Sequence, residues 1–82
     1  MTEEDREIGR VVEGLTGKVR WFDPKLGYGF VEWNDGEKSI DVFVHYTAIN
    51  MEGFKTLEAE QEVAFDLHEA VKGPMATNVR VF

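Results

Sequence analysis

Apolar and polar residues alternate with a period of two along most of this chain, the spacing of half-buried strands. From Thr16 to Phe22, Lys18 and Arg20 share one face and Val19 the other; Trp21 follows Val19 inward and Phe22 points out. An exposed Trp21 therefore requires a bend or bulge near the end of this strand. Asp23-Pro24-Lys25-Leu26-Gly27 reads as a turn, with Pro24 fixing φ and Gly27 free to take φ > 0. Tyr28 to Trp33 is a second strand: Tyr28, Phe30 and Glu32 fall on one face, and Gly29, Val31 and Trp33 on the other. Asn34-Asp35-Gly36 is a turn that Glu37 to Ile40 lengthens.

Asp41 to His45 is a third strand, with Phe43 and His45 on one face and Val42 and Val44 toward the core. Gln61 to Leu67 is a fourth, with Val63, Phe65 and Leu67 inward. Val71 to Pro74 is a turn, and Met75 to Phe82 a fifth strand whose alternation is imperfect, although Val79 and Val81 share a face. Five short strands with turn signals about every ten residues predict an all-β barrel. Gly27 and Gly29 lie opposite the aromatic face of the second strand and let the sheet curl. Residues 1–15 depart from the period. Ile8, Val11, Val12 and Leu15 have the i, i+3, i+4, i+7 spacing of a helical face, and Thr2 with Asp5 resembles a capping box, but Gly9 and Gly14 oppose a helix. The expectation is an N-terminal extension over residues 1–15, disordered or docked as a short segment, and one domain over residues 16–82.

Length and composition narrow the class. With 82 residues the chain holds one small domain. It has no cysteine, so neither a disulfide nor a thiolate metal site can staple it. The N-terminus is acidic, unlike a secretory signal, and no apolar run approaches the roughly 18 residues that span a bilayer. A cytoplasmic protein with no membrane partner is expected. The net charge of −7 argues against nucleic acid. Its distribution softens the objection: Lys18, Arg20 and Lys25 face only Asp23 between Thr16 and Phe30, a positive patch on an acidic body.

The aromatics change the picture most. Of two Trp, two Tyr and six Phe, the stretch from Trp21 to Tyr46 holds Trp21, Phe22, Tyr28, Phe30, Trp33, Phe43 and Tyr46. A hairpin between the second and third strands puts Phe43 and His45 beside Tyr28 and Phe30. Ordinary barrel core is one reading of these rings. The other is an exposed stacking platform beside Lys and Arg, on which each stacked base contributes about 1–3 kcal/mol. Trp33, with the parity of Val31, belongs to packing. His45 has no nucleophile or carboxylate partner in a catalytic arrangement, and His68 has no metal-ligand spacing to it, so neither an enzyme nor a metal site is expected.

These residues resemble the cold-shock domain. Lys18-Val19-Arg20-Trp21-Phe22 resembles that family's first strand. Leu26-Gly27-Tyr28-Gly29-Phe30-Val31 resembles its first ribonucleoprotein motif, and Val42-Phe43-Val44-His45-Tyr46 its second. Ala48-Ile49, Gly53-Phe54-Lys55-Thr56-Leu57 and Lys72-Gly73-Pro74 continue the match over about residues 16–82. The resemblance implies a five-stranded antiparallel OB-fold barrel that binds single-stranded RNA or DNA with little sequence preference and acts as an RNA chaperone. It implies stacking by Trp21, Tyr28, Phe30, Phe43, His45, Tyr46 and Phe54, and backbone or base-edge contacts by Lys18, Arg20 and Lys72. No cofactor and no small-molecule substrate are implied, and the chain is expected as a monomer or weak homodimer. Leu26 stands where the family usually has lysine, and Asp23 where asparagine is common. These departures, with the acidic charge, support an alternative: a protein-interaction barrel with weakened or lost nucleic-acid binding.

Overall fold

A computed structural model of the chain describes residues 11–82. The strands are β1 (Val11–Asp23), β2 (Tyr28–Asn34), β3 (Ser39–His45), β4 (Glu62–Ala70) and β5 (Gly73–Val81), with one 3-10 turn at Tyr46–Ala48 after β3. They close into a barrel in the order β1-β2-β3-β5-β4. Every pairing is antiparallel except the seam between β3 and β5, which is parallel and pairs Phe43 with Met75. Closure leaves few unpaired edges, which are otherwise templates for aggregation.

β1 is long because it serves two partners. Its first half pairs with β4 and its second with β2, and Lys18 is the residue common to both, opposite Glu62 and Glu32. It begins before the expected Thr16. Val11, Val12 and Leu15 are not a helical face here: they pair with His68, Leu67 and Phe65. The reason lies in a bulge between Val12 and Leu15, where three steps along β1 match two along β4. Gly14 takes φ 73° there, and its N–H donates to Asp66 Oδ1 at 3.0 Å. The extra residue resets parity, so Val12 and Leu15 both pack on the core. An i, i+3 apolar spacing is what a strand with one bulge produces as well as what a helix produces. The remainder of the helical and capping pattern, Thr2, Asp5, Ile8 and Gly9, lies outside the described residues.

Other element ends shift by the same kind of pairing. β3 starts at Ser39 because Ser39 and Ile40 continue the ladder opposite Asn34 and Trp33. β4 runs on to Ala70, which pairs with Gly73 across the two-residue turn Val71–Lys72. The imperfect alternation of β5 has a physical cause too. A register shift opposite Ala64 and Asp66 places Asn78 at φ 49°, and both Ala76 and Val79 are buried as a result.

The core consists of Val19, Val31, Val42, Val44, Val63, Phe65, Leu67, Ala76 and Val79 from the strands, closed by Ile49 and Leu57 from the long connection between β3 and β4. Trp33 packs against this core, as its parity requires, and so does Phe22. That connection is tied down near both ends: Asn50 N–H donates to Val79 O at 2.8 Å, bridging Ile49 to Val79, and Glu60 N–H donates to Val19 O at 2.7 Å.

Candidate nucleic-acid interface

The outer faces of β1, β2 and β3 carry the rings. Tyr28 lies opposite His45 and Phe30 opposite Phe43 across the β2–β3 ladder. Trp21 joins them through a second bulge in β1: Val19 pairs with Val31 and Trp21 with Phe30, so two steps on β1 match one on β2. The bulge turns Trp21 outward, 42% exposed, although it shares parity with the buried Val19. Gly29 makes room for this. A Cβ there would run into the carbonyl oxygen of Trp21 and approach Phe22 Cα to 2.6 Å.

The rings form a connected cluster. Trp21 meets Tyr28 and Phe30 edge-on at centroid distances of 5.7 and 5.6 Å. Tyr28 lies 5.6 Å from Phe43, and Phe30 5.8 Å from Phe43. Contacts of this kind contribute about 0.5–1.5 kcal/mol each and hold the rings in place before anything binds. Tyr28, Phe30 and Phe43 are half-buried and lie outside the buried core of the barrel.

His45 ends β3 and caps the 3-10 turn. Its Nδ1 lies 2.8 Å from Thr47 Oγ1 and accepts from Thr47 N–H at 3.4 Å. Its ring is tilted against Tyr46 at 4.6 Å. Tyr46 is seated on Gly27: its N–H donates to Gly27 O at 2.9 Å, and a Cβ on Gly27 would come within 3.1 Å of the Tyr46 ring. Gly27 takes φ 82°, as the turn requires. Phe54 is 73% exposed in the long connection and makes no ring contact with the cluster among the described residues.

The cations are arranged less simply. Arg20 is clamped by two carboxylates on the same face: Nε donates to Asp41 Oδ1 at 2.6 Å, and Nη2 to Glu32 Oε2 at 2.7 Å. The hydrogen bond and charge of Asp41, with the charge of Glu32, raise the Arg20 pKa above its ordinary value. Two carboxylates around one guanidinium leave that corner net negative. Lys18 sits beyond the rings, in a shallow cleft with Gly17, Glu62 and Phe82. Lys72, in the β4–β5 turn, is brought to the platform, where it lines a cleft of about 540 Å³ with Phe30, Asp41, Phe43 and Met75. Leu26 is 58% exposed in the β1–β2 turn. Asp23 is engaged locally, its Oδ1 accepting from Lys25 N–H at 2.8 Å and Leu26 N–H at 3.4 Å.

The sequence that builds this barrel has close relatives among known proteins. The family model of the 'cold-shock' DNA-binding domain matches residues 15–82. The chain belongs to the cold-shock domain family. It is 54% identical over 67 residues to a cold shock-like protein of Thermotoga maritima, covering 82% of this chain and 97% of that protein. It is 56% identical over 63 residues to a cold shock protein of Bacillus caldolyticus, covering 77% of this chain and 91% of the relative. A cold shock-like protein of Aquifex aeolicus is 55% identical over 65 residues, 79% of this chain and 90% of its own. Membership makes nucleic acid the class of ligand for this cold-shock domain.

Within the cold-shock barrel, the sequence placed Glu32 on the ring face without its pairing to Arg20, and did not single out Asp41 or Met75 as neighbours of the site. Glu32 and Asp41 carried a usable signal, since Glu32 has the parity of Phe30 and Asp41 that of Phe43. Met75, 37% exposed beside Phe43, carried none, because only the parallel β3–β5 seam brings it there.

Proposed function

We propose that this barrel binds single-stranded RNA or DNA by stacking bases on Trp21, Tyr28, Phe30, Phe43, His45 and Tyr46, and that it serves as an RNA chaperone by holding unpaired strands. The observation that carries the reading is the connected, half-exposed ring cluster across β1, β2 and β3. A soluble barrel gains nothing from such a face unless something flat covers it. Stacking is indifferent to base identity, which suits a protein that must engage many sequences. The family resemblance assigns the exposed Phe54 to stacking as well, and Lys18 and Lys72 to phosphate contacts.

Affinity in this reading is dominated by stacking. With Arg20 compensated and leucine at position 26, few cations release counterions. Two phosphate contacts on a single strand correspond to a shallow salt slope of about −1.4. The test is a titration with a short pyrimidine oligonucleotide followed by tryptophan fluorescence, in a Trp33→Phe variant so that Trp21 alone reports. Saturable quenching that weakens modestly with salt is expected; no binding at low salt sinks the reading. Chaperone action is tested separately, by whether the protein opens a weak RNA hairpin at concentrations that saturate the quenching.

The clamp on Arg20 and the exposed Leu26 are what favour the alternative, a protein-interaction barrel. The same titration separates the two.

A further inference from the structure

Beyond His45 the platform continues into a second cleft, of about 400 Å³, across the β3–β5 seam. Its lining includes His45, Thr47, Asn50, Met75, Thr77 and Asn78. Met75 also lines the cleft beside Phe43, so it separates the two. The chemistry differs on its two sides: aromatic on the β2 side, and hydroxyls and amides without net charge on the other.

The amides here are not free to turn. Asp66, on β4, has a mostly buried side chain and a carboxylate that only accepts hydrogen bonds. It takes Gly14 N–H on Oδ1, and on Oδ2 the amide Nδ2 of Asn78 at 3.4 Å. Asn78 must therefore present its carbonyl Oδ1 to the far side, where it accepts from Asn50 Nδ2 at 3.3 Å. Asn50, which lines the cleft, has its Nδ2 engaged and its own Oδ1 without a protein partner among the described residues. A carboxylate at one end of the relay thus sets an acceptor at the other. The wall is held firmly: Asn78 takes φ 49°, its carbonyl accepts from Arg80 Nε at 3.1 Å, and the backbone of Asn50 is tied to Val79. A non-glycine residue held in the left-handed region by its surroundings is a feature that clusters at functional positions.

We propose that this cleft is a base-edge subsite selecting the 6-amine of adenine or the 4-amine of cytosine over the carbonyl that uracil and thymine carry there, at one position of the bound strand. The inference rests on the stacking reading above. A base seated on the His45–Tyr46 pair turns its edge toward the cleft, and its amine donates to Asn50 Oδ1. Asn50 is the specificity-determining residue; Asp66 and Asn78 are positioning residues that act through it. The rings bind any base, and this corner supplies a preference that they cannot.

The test uses the full chain and a short oligouridylate in which a single adenosine is moved through every position. A parallel series carries purine riboside, which stacks much as adenosine does but lacks the amine. The expected result is one position at which adenosine binds about two- to tenfold more tightly than purine riboside, the range of one neutral hydrogen bond. In Asn50→Ala that ratio falls to about one. Asp66→Asn, whose amide no longer dictates the relay, lowers the ratio in the same direction, measured below its own melting transition. Equal binding of adenosine and purine riboside at every position overturns the subsite and leaves the stacking reading standing. A ratio that survives in Asn50→Ala overturns it as well. Failure of the oligouridylate itself to bind at low salt removes the stacking reading and the subsite together.

Discussion

Trp21 and Val19 have the same parity in β1, yet Val19 is 1% exposed and Trp21 42%. One inserted residue changes the role of the indole from packing to display. The rings it meets are displayed by simple alternation, and they are separable from the core by substitution. Phe43→Ala or Phe30→Ala should weaken oligonucleotide binding by about 1–3 kcal/mol, one base stack, and leave the fold intact; titration alongside a thermal melt checks both. Phe65, fully buried, is the contrast: Phe65→Ala should cost about 3–5 kcal/mol of stability. If Phe43→Ala destabilises the domain as much as Phe65→Ala does, the ring is core after all. Arg20 gives the other residue-scale prediction. Glu32→Gln with Asp41→Asn keeps the shapes around the guanidinium and removes both compensating charges. Binding at low salt should tighten, and the salt slope should steepen by about 0.7, one phosphate contact. An unchanged slope would mean that Arg20 does not face the strand.

The elements themselves are shaped by bulges and tight turns. β1 carries two bulges, one bringing Val12 and Leu15 into the core and the other turning Trp21 out. Both are visible in sequence only as broken periodicity, which is why residues 11–15 resemble a helical face and why the exposure of Trp21 is conditional. The β2–β3 turn is built by side-chain caps: Asn34 Oδ1 accepts from Gly36 N–H, and Asp35 Oδ1 from Glu37 and Lys38 N–H at 2.9 Å each. Those two backbone donors, Glu37 first, hold the Asp35 carboxyl below its ordinary 3.8. A folded value below the unfolded one means that the turn gains stability above the unfolded value and loses it as pH falls through the folded value. Amide exchange at Glu37 and Lys38 should therefore lose protection as pH drops below about 3.8. Asp35→Asn should remove that pH dependence while leaving the rest of the acid transition in place.

At the scale of the whole molecule, a net charge of −7 on one small barrel acts on stability and on binding in opposite senses. Self-repulsion of the acidic body is relieved by salt, since charges farther apart than about 10 Å are screened at 0.1 M. Binding loses counterion release under the same conditions. Melting temperature should rise between low and physiological salt while oligonucleotide affinity falls. Both quantities moving down together would show that local ion pairs, such as Arg20 with Asp41 and Glu32, control stability more than net charge does.

Alternation along the chain determined the inward valines of β1, β2 and β3, the shared face of Tyr28, Phe30, Phe43 and His45, and the placing of Trp33 in packing. Those are properties of neighbours two residues apart, and a strand expresses them wherever it lies. The exposure of Trp21, the pairing of Val11, Val12 and Leu15 with β4, and the gathering of Met75 and Asn78 beside the rings were decided only by tertiary structure. Each depends on which strand lies alongside: a bulge appears where two ladders disagree in register, and the parallel seam of β3 with β5 joins segments that local spacing cannot relate. Arg20 shows both sides at once, since parity displays it beside the rings and only the folded sheet hands it to Glu32 and Asp41.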